Sequence, residues 1–152
     1  MKKLLRMELA SDIASLMSLH SIRVVQYCRS LHRDKIPLLY AEAFGEKPWS
    51  DDWDDFDESD PRGVFIAVDP ATDVTMGYVI GFRRKDFGYI SVVAVLPAYR
   101  RRGVASAMIK AAVQYLRSLD VNPVRVDVHV TNRPATQRYK KLGFEVVNAL
   151  EE

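Results

Sequence analysis

The segment Arg100-Arg-Arg-Gly103-Val-Ala105 has the residue types to hold an anion. A valine-rich run, Ser91 to Val95, precedes it and reads as a buried strand that Pro97, unable to donate to a ladder, brings to an end. Val104, Met108, Ala111, Ala112 and Tyr115 then recur at helical spacing. A glycine at the mouth of a helix lets backbone approach a ligand, and small Ala105 keeps that approach open. The first amides of a helix point outward with the positive end of its dipole behind them. The three arginines add charge. The chemistry is that of a pyrophosphate cradle, and the alternative is a basic strand-to-helix turn without a ligand. Neither the Walker loop nor the Rossmann glycine pattern occurs.

Other candidate groups point to less. Cys28 and His32 are four apart, but two ligands do not make a metal site and no His-Glu-x-x-His occurs, so no metal is expected. Cys28 is the only cysteine, which excludes an intrachain disulfide, and nothing supports it as a nucleophile. Trp49, Trp53 and Phe56 lie among the acids of Asp51 to Asp60. They can line a pocket for a cationic group, or pack inward beneath a solvated acidic face. Net charge is +2, so bulk charge selects no partner. Basic clusters at 83–85, 100–102 and 138–141 have the charge to touch nucleic acid, but they are better placed to serve a phosphorylated small ligand, and no nucleic-acid partner is expected. No run reaches transmembrane length, and Arg6, Glu8 and Asp12 interrupt the signal-like opening, so a cytoplasmic protein with no membrane partner is expected.

A chain of 152 residues suggests one domain. Leu5, Leu9, Ile13, Leu16 and Met17 share a helical face, which predicts an amphipathic helix or extension over 1–20 and a domain over 21–152. That segment can pack on the domain, mediate a homodimer or extend from it. Strands are expected at 22–28, 64–68, 75–82 and 89–95, the last three as an antiparallel meander, with a helix over 34–44 that Gly45 stops. Gly77 and Gly81 mark a bulge or a close approach. After a helix at 103–119, Val124 to Val130 alternates strictly, with Arg125, Asp127 and His129 on its polar face. Asn132 caps a helix with Pro134 in its first turn, Gly143 ends it, and a short strand over 144–147 follows.

The pattern Arg100-x-x-Gly103-x-Ala105 between a strand and a helix resembles the acetyl-CoA loop of the GCN5-related N-acetyltransferases, the GNAT superfamily. Asn132-x-x-Ala135-x-x-x-Tyr139-x-x-x-Gly143-Phe144 is very similar to that family's closing motif, in the family's order and at about its separation. The resemblance covers roughly residues 89–147. It implies an α/β fold of α+β type: three layers, a mixed, mostly antiparallel sheet splayed between the fourth and fifth strands counted from residue 22, and helices on both faces. Acetyl-CoA is the implied cofactor, lying in the opening against Val93, Ala94 and Val95. Arg100, Arg101, Arg102, Gly103, Val104, Ala105 and Ser106 surround its phosphates, and Asn132, Ala135 and Tyr139 lie near its thiol arm.

The implied reaction is direct acetyl transfer to a primary amine, on a small molecule, a protein N-terminus or a lysine. Tyr139 is placed as the acid that protonates the leaving thiolate. Asp127 and Tyr89 match positions from which relatives deprotonate the amine. The alternative for Asp127 is a carboxylate paired with Arg125 or His129. Glu42, Phe44, Trp49 and Trp53 are the acceptor-side candidates. One departure stands out: the family usually ends in a hairpin, and only eight residues follow Phe144. The missing strand is absent, supplied by a neighbouring subunit, or replaced by the N-terminal segment. The short end also motivates a second reading, a non-catalytic acyl-CoA-binding domain.

Overall fold

Strands that present side chains to two faces form the centre of the described fold. A computed structural model of the protein describes residues 3–11, 13, 22–45 and 63–151. Its elements run β1 (Lys3–Leu9), β2 (Arg23–Gln26), α1 (Arg29–His32), α2 (Lys35–Phe44), β3 (Val64–Val68), β4 (Thr75–Arg83), β5 (Gly88–Val95), a 3-10 turn (Pro97–Tyr99), α3 (Val104–Ser118), β6 (Val124–His129), α4 (Arg133–Leu142) and β7 (Glu145–Glu151). One seven-stranded sheet takes the order β2-β3-β4-β5-β6-β1-β7. Every neighbouring pair is antiparallel except β5–β6.

Two apolar clusters fill the two faces. One gathers Met7, Leu9, Val79, Ile90, Val124 and Val126 under α3, with Tyr139 and Leu142 of α4. The other gathers Val64, Ile66, Tyr78, Ile80 and Ala94 against Ile36 and Leu39 of α2. Helix ends follow local chemistry. Gly45 and Gly143 take left-handed conformations after α2 and α4, and the Asn132 side chain accepts the Ala135 amide at 3.3 Å.

The amphipathic helix expected over residues 1–20 is corrected. Lys3–Leu9 is a strand, standing between β6 and β7 and antiparallel to both. Leu5 and Leu9 are four apart, a spacing that suits a helical turn and an extended chain equally. Met7 arbitrates, because it is fully buried together with Leu9, at 0% exposure. Leu16 and Met17, also assigned to that helix, lie outside the described residues. The N-terminal segment therefore supplies the strand that stands between β6 and β7.

Gly77 is fixed by a close approach. A Cβ built there would sit 2.2 Å from the Ala94 carbonyl oxygen, whereas one at Gly81 would meet nothing closer than 3.5 Å. Overpacking against backbone costs about 1–3 kcal/mol or more. Gly77→Ala is expected to lower Tm by several degrees and Gly81→Ala to change it little, read by thermal melts of the two variants. Equal stability of both variants would refute the close approach.

Candidate active site

The sheet opens at one point. β5 and β6 pair only through Gly88–Val124, Tyr89–Arg125 and Ile90–Val126. Next comes Ser91, left over where the register with β4 jumps from Gly81–Ile90 to Ile80–Val92. Beyond it, β5 keeps β4 and has lost β6. Leu96 N–H donates to Met76 O at 2.9 Å, in register with Val92–Ile80 and Ala94–Tyr78. In an antiparallel ladder alternate residues face the partner, so Val93 and Val95 turn their N–H and C=O groups to the opening. The Ala94 side chain is buried in the α2-side core.

At the end of that edge the chain forms an anion nest. Arg101 and Gly103 have φ of 66° and 81°, and the first bond of α3 runs from Ala107 N–H to Gly103 O. The amides of Val104, Ala105 and Ser106 thus have no acceptor within the helix. A cleft of ≈ 240 Å³ lies before them, walled by Val95, Arg100, Arg101 and Gly103 and, from α4, by Arg138 and Lys141. Bare amides, a helix N-terminus and the cationic side chains of Arg101, Arg138 and Lys141 fit a pyrophosphate with a further phosphate. An open strand edge fits an extended amide-bearing arm. These residues would hold acetyl-CoA.

Two arginines of the loop do other work with their side chains. Arg100 Nε donates to Val95 O at 3.2 Å and its Nη2 to Ala43 O at 2.7 Å, tying the end of α2 to the open edge. Arg102 stacks over Tyr99, 5.5 Å from the ring centroid, and lines a separate hollow with Asp69 and Met76. Its side chain does not line the phosphate cleft. Asn132 is exposed and its Oδ1 caps α4; Ala135 is half-buried beside it.

Three groups gather where the strands part. Tyr139 is buried, edge-on to Phe144 with centroids 5.2 Å apart. Burial holds its phenol well above the ordinary value of 10.0; nearby Tyr89 adds to the shift and Arg138 opposes it. Tyr89 donates its hydroxyl to Asp127 Oδ2 at 3.1 Å. Desolvation first, then the Asp127 charge, push the Tyr89 phenol up to about 12. Asp127 is not paired with Arg125 or His129. Its partner is Arg6 of β1, with Nε to Oδ1 at 3.0 Å and Nη2 to Oδ2 at 3.1 Å. Arg125 instead donates to Glu8 at 2.8 Å and stacks 3.9 Å over Phe87. The register explains the exchange: Arg6 lies opposite Asp127, and Glu8 opposite Arg125.

Sequence reasoning missed Arg6 and Glu8. The alternation Leu5-Arg6-Met7-Glu8-Leu9 was the signal for a strand with a charged face. Of the acceptor-side candidates, Glu42 and Phe44 are exposed at the end of α2, where Phe44 packs edge-on to Tyr40. Trp49 and Trp53 lie outside the described residues. Cys28 donates its amide to His32 Nδ1 at 2.8 Å, which commits the ring to the local turn. No described helix is long and apolar enough to cross a membrane.

A sheet split over an anion nest, with phenols at the apex of the split, has the shape and charge to fit a phosphorylated ligand with an extended arm. The chain belongs to the acetyltransferase (GNAT) family, whose model matches residues 26–144. An N-alpha-acetyltransferase of Sulfurisphaera tokodaii is 38% identical over 64 residues, 41% of this chain and 38% of that protein. A mycothiol acetyltransferase of Mycolicibacterium gilvum is 30% identical over 120 residues, 70% of this chain and 40% of that one. The chain thus spans about two fifths of the length of either relative. A GCN5-related N-acetyltransferase from Sphaerobacter thermophilus superposes with a TM-score of 0.84 at 20% identity, over 97% of this chain and 49% of that one, and shows the same fold.

Proposed function

We propose that the protein is an acetyl-CoA-dependent N-acetyltransferase that moves the acetyl group directly to a primary amine. The observation that supports this best is a coincidence of place. The open β5 edge runs from the phenols at Tyr89 and Tyr139 to the nest at Arg101–Ser106. When bound, acetyl-CoA supplies the thioester. Held there, it would offer its acetyl carbon to the amine nitrogen and its sulfur as the leaving group. Tyr139, kept protonated by its burial, donates a proton to the departing sulfur. The Tyr89 hydrogen is committed to Asp127, so the phenol oxygen presents its lone pairs to the ammonium, directly or through water. The proton lost by the amine leaves along that pair to solvent. The non-catalytic alternative rested on a missing strand, and β1 supplies the strand between β6 and β7.

The names of the two relatives support different acceptors, a protein α-amine and a small-molecule amine. The first test is thermal unfolding with acetyl-CoA, with ATP as the phosphate control. Ligand at about 100 times its Kd stabilises by about 2.7 kcal/mol, or roughly 5–10 °C for a domain this size. A rise with acetyl-CoA alone supports the reading, and screening for CoA release with an unblocked peptide and with spermidine follows. No rise at millimolar acetyl-CoA sinks it.

A further inference from the structure

We propose that Arg6 is a positioning residue of this transfer: its fork fixes the Asp127 carboxylate so that Oδ2 receives the Tyr89 hydroxyl where β5 and β6 part. The inference rests on the proposed function above.

The geometry carries it. Arg6 sits directly across the β1–β6 ladder from Asp127 and reaches both oxygens, at 3.0 and 3.1 Å. Two parallel bonds set the plane of a carboxylate, which a single bond cannot do. Tyr89 donates to the oxygen held by Nη2, and Tyr89 stands one residue before the last β5–β6 pair, at Ile90. The pair is largely shielded, with 29% of the Arg6 side chain and 12% of that of Asp127 exposed. A competitor is close at hand. Arg125 shares the polar face of β6 with Asp127, two residues away, and is itself occupied by Glu8 and Phe87. Without the Arg6 fork, Asp127 can turn along its own strand toward Arg125 and leave Tyr89. The residue that prevents this comes from β1, an element that carries neither family motif.

Glu8 supplies the internal control. Glu8→Gln removes the charge pairing of the neighbouring rung, while its amide oxygen can still accept from Arg125, beside but outside the Asp127–Tyr89 pair. Arg6→Lys keeps a cation at the site and gives up the fork. The enzyme is assayed with whichever of the two acceptor probes it acetylates. Arg6→Lys is expected to lower kcat about tenfold and Arg6→Ala more, each with an unchanged KM for acetyl-CoA. Free guanidinium partly restores Arg6→Ala, and Glu8→Gln stays within about twofold of wild type. A second readout needs no acceptor: tyrosine labelled with 13C at Cζ, with the Tyr89 signal assigned through Tyr89→Phe. Arg6→Lys should move that signal in the direction that Asp127→Asn moves it. Wild-type kcat in Arg6→Lys, losses in Glu8→Gln and Arg6→Lys that both follow Tm, or a Tyr89 signal that Asp127→Asn moves and Arg6→Lys does not, overturns the proposal. If Tyr89→Phe and Asp127→Asn keep full turnover, the proton path itself is wrong. If those two lose turnover and Arg6→Lys does not, only the role of Arg6 falls.

Discussion

Tyr139→Phe is expected to lower kcat about 10²–10⁴-fold, the range that a positioned general acid supplies, while the acetyl-CoA-induced rise in Tm stays near that of wild type. The substitution removes one oxygen and keeps the ring that packs edge-on to Phe144. The nest at Arg101–Ser106 is built from other residues, so coenzyme binding has no reason to change. Steady-state turnover alongside the thermal shift separates the two effects. Wild-type turnover in the variant would remove the phenol from the reaction. The raised phenols also set a pH signature. Below about pH 10 both Tyr89 and Tyr139 are neutral, folded or unfolded. As pH rises from there toward 12, the unfolded chain releases protons that the folded chain retains, because burial raises both groups. Stability therefore falls over that window, and Tyr89→Phe should flatten part of the slope.

Removing residues 1–9 is expected to abolish cooperative folding. β1 is an inner strand, paired at six positions with β6 and at six with β7. Its loss strips both ladders and takes away Met7 and Leu9, each fully buried. It also removes the Leu9 carbonyl, which accepts from Arg117 Nη2 at 3.2 Å. Truncating one such apolar side chain to alanine costs about 2–5 kcal/mol, and a whole domain is stable by only about 5–15 kcal/mol. Circular dichroism on heating is the measurement. A shortened chain that melts sharply within about 5 °C of the full one would show that the strand is dispensable, and Met7→Ala gives a graded version of the same test.

Residues 64–144 were largely legible because their signals are local. Short apolar runs marked β3 to β5, strict alternation marked β6, a proline ended β5, and glycines and an asparagine bounded α3 and α4. The nest was legible in Gly103, Ala105 and the arginines before a helix, and the opening of the sheet came from the family resemblance. What escaped depended on partners far away in the chain. Arg6 and Asp127 are 121 residues apart. Reasoning from Asp127 alone reaches its strand neighbours Arg125 and His129, yet the register places Arg6 opposite it. The four-residue spacing of Leu5 and Leu9 fits either periodicity, and only tertiary burial of Met7 decides it. Arg100 looked like a phosphate ligand because of its charge, but two carbonyls at the cleft mouth take its donors. Composition does not reveal which backbone oxygens are left without a ladder.

The place of β1 has a consequence for how the domain is made. A ribosome adds about 5–20 residues per second, and residues 3–9 are synthesised well over a hundred residues before β7 at 145–151. For several seconds at least, Leu5, Met7 and Leu9 have no strand on either side. Closing so long a loop adds an entropic cost that local contacts do not offset, which slows the final pairing. The sheet therefore cannot close until β7 has left the exit tunnel, and the Arg6–Asp127 contact must wait for β6. A nascent chain halted before residue 145 would carry the complete nest but an unfinished sheet.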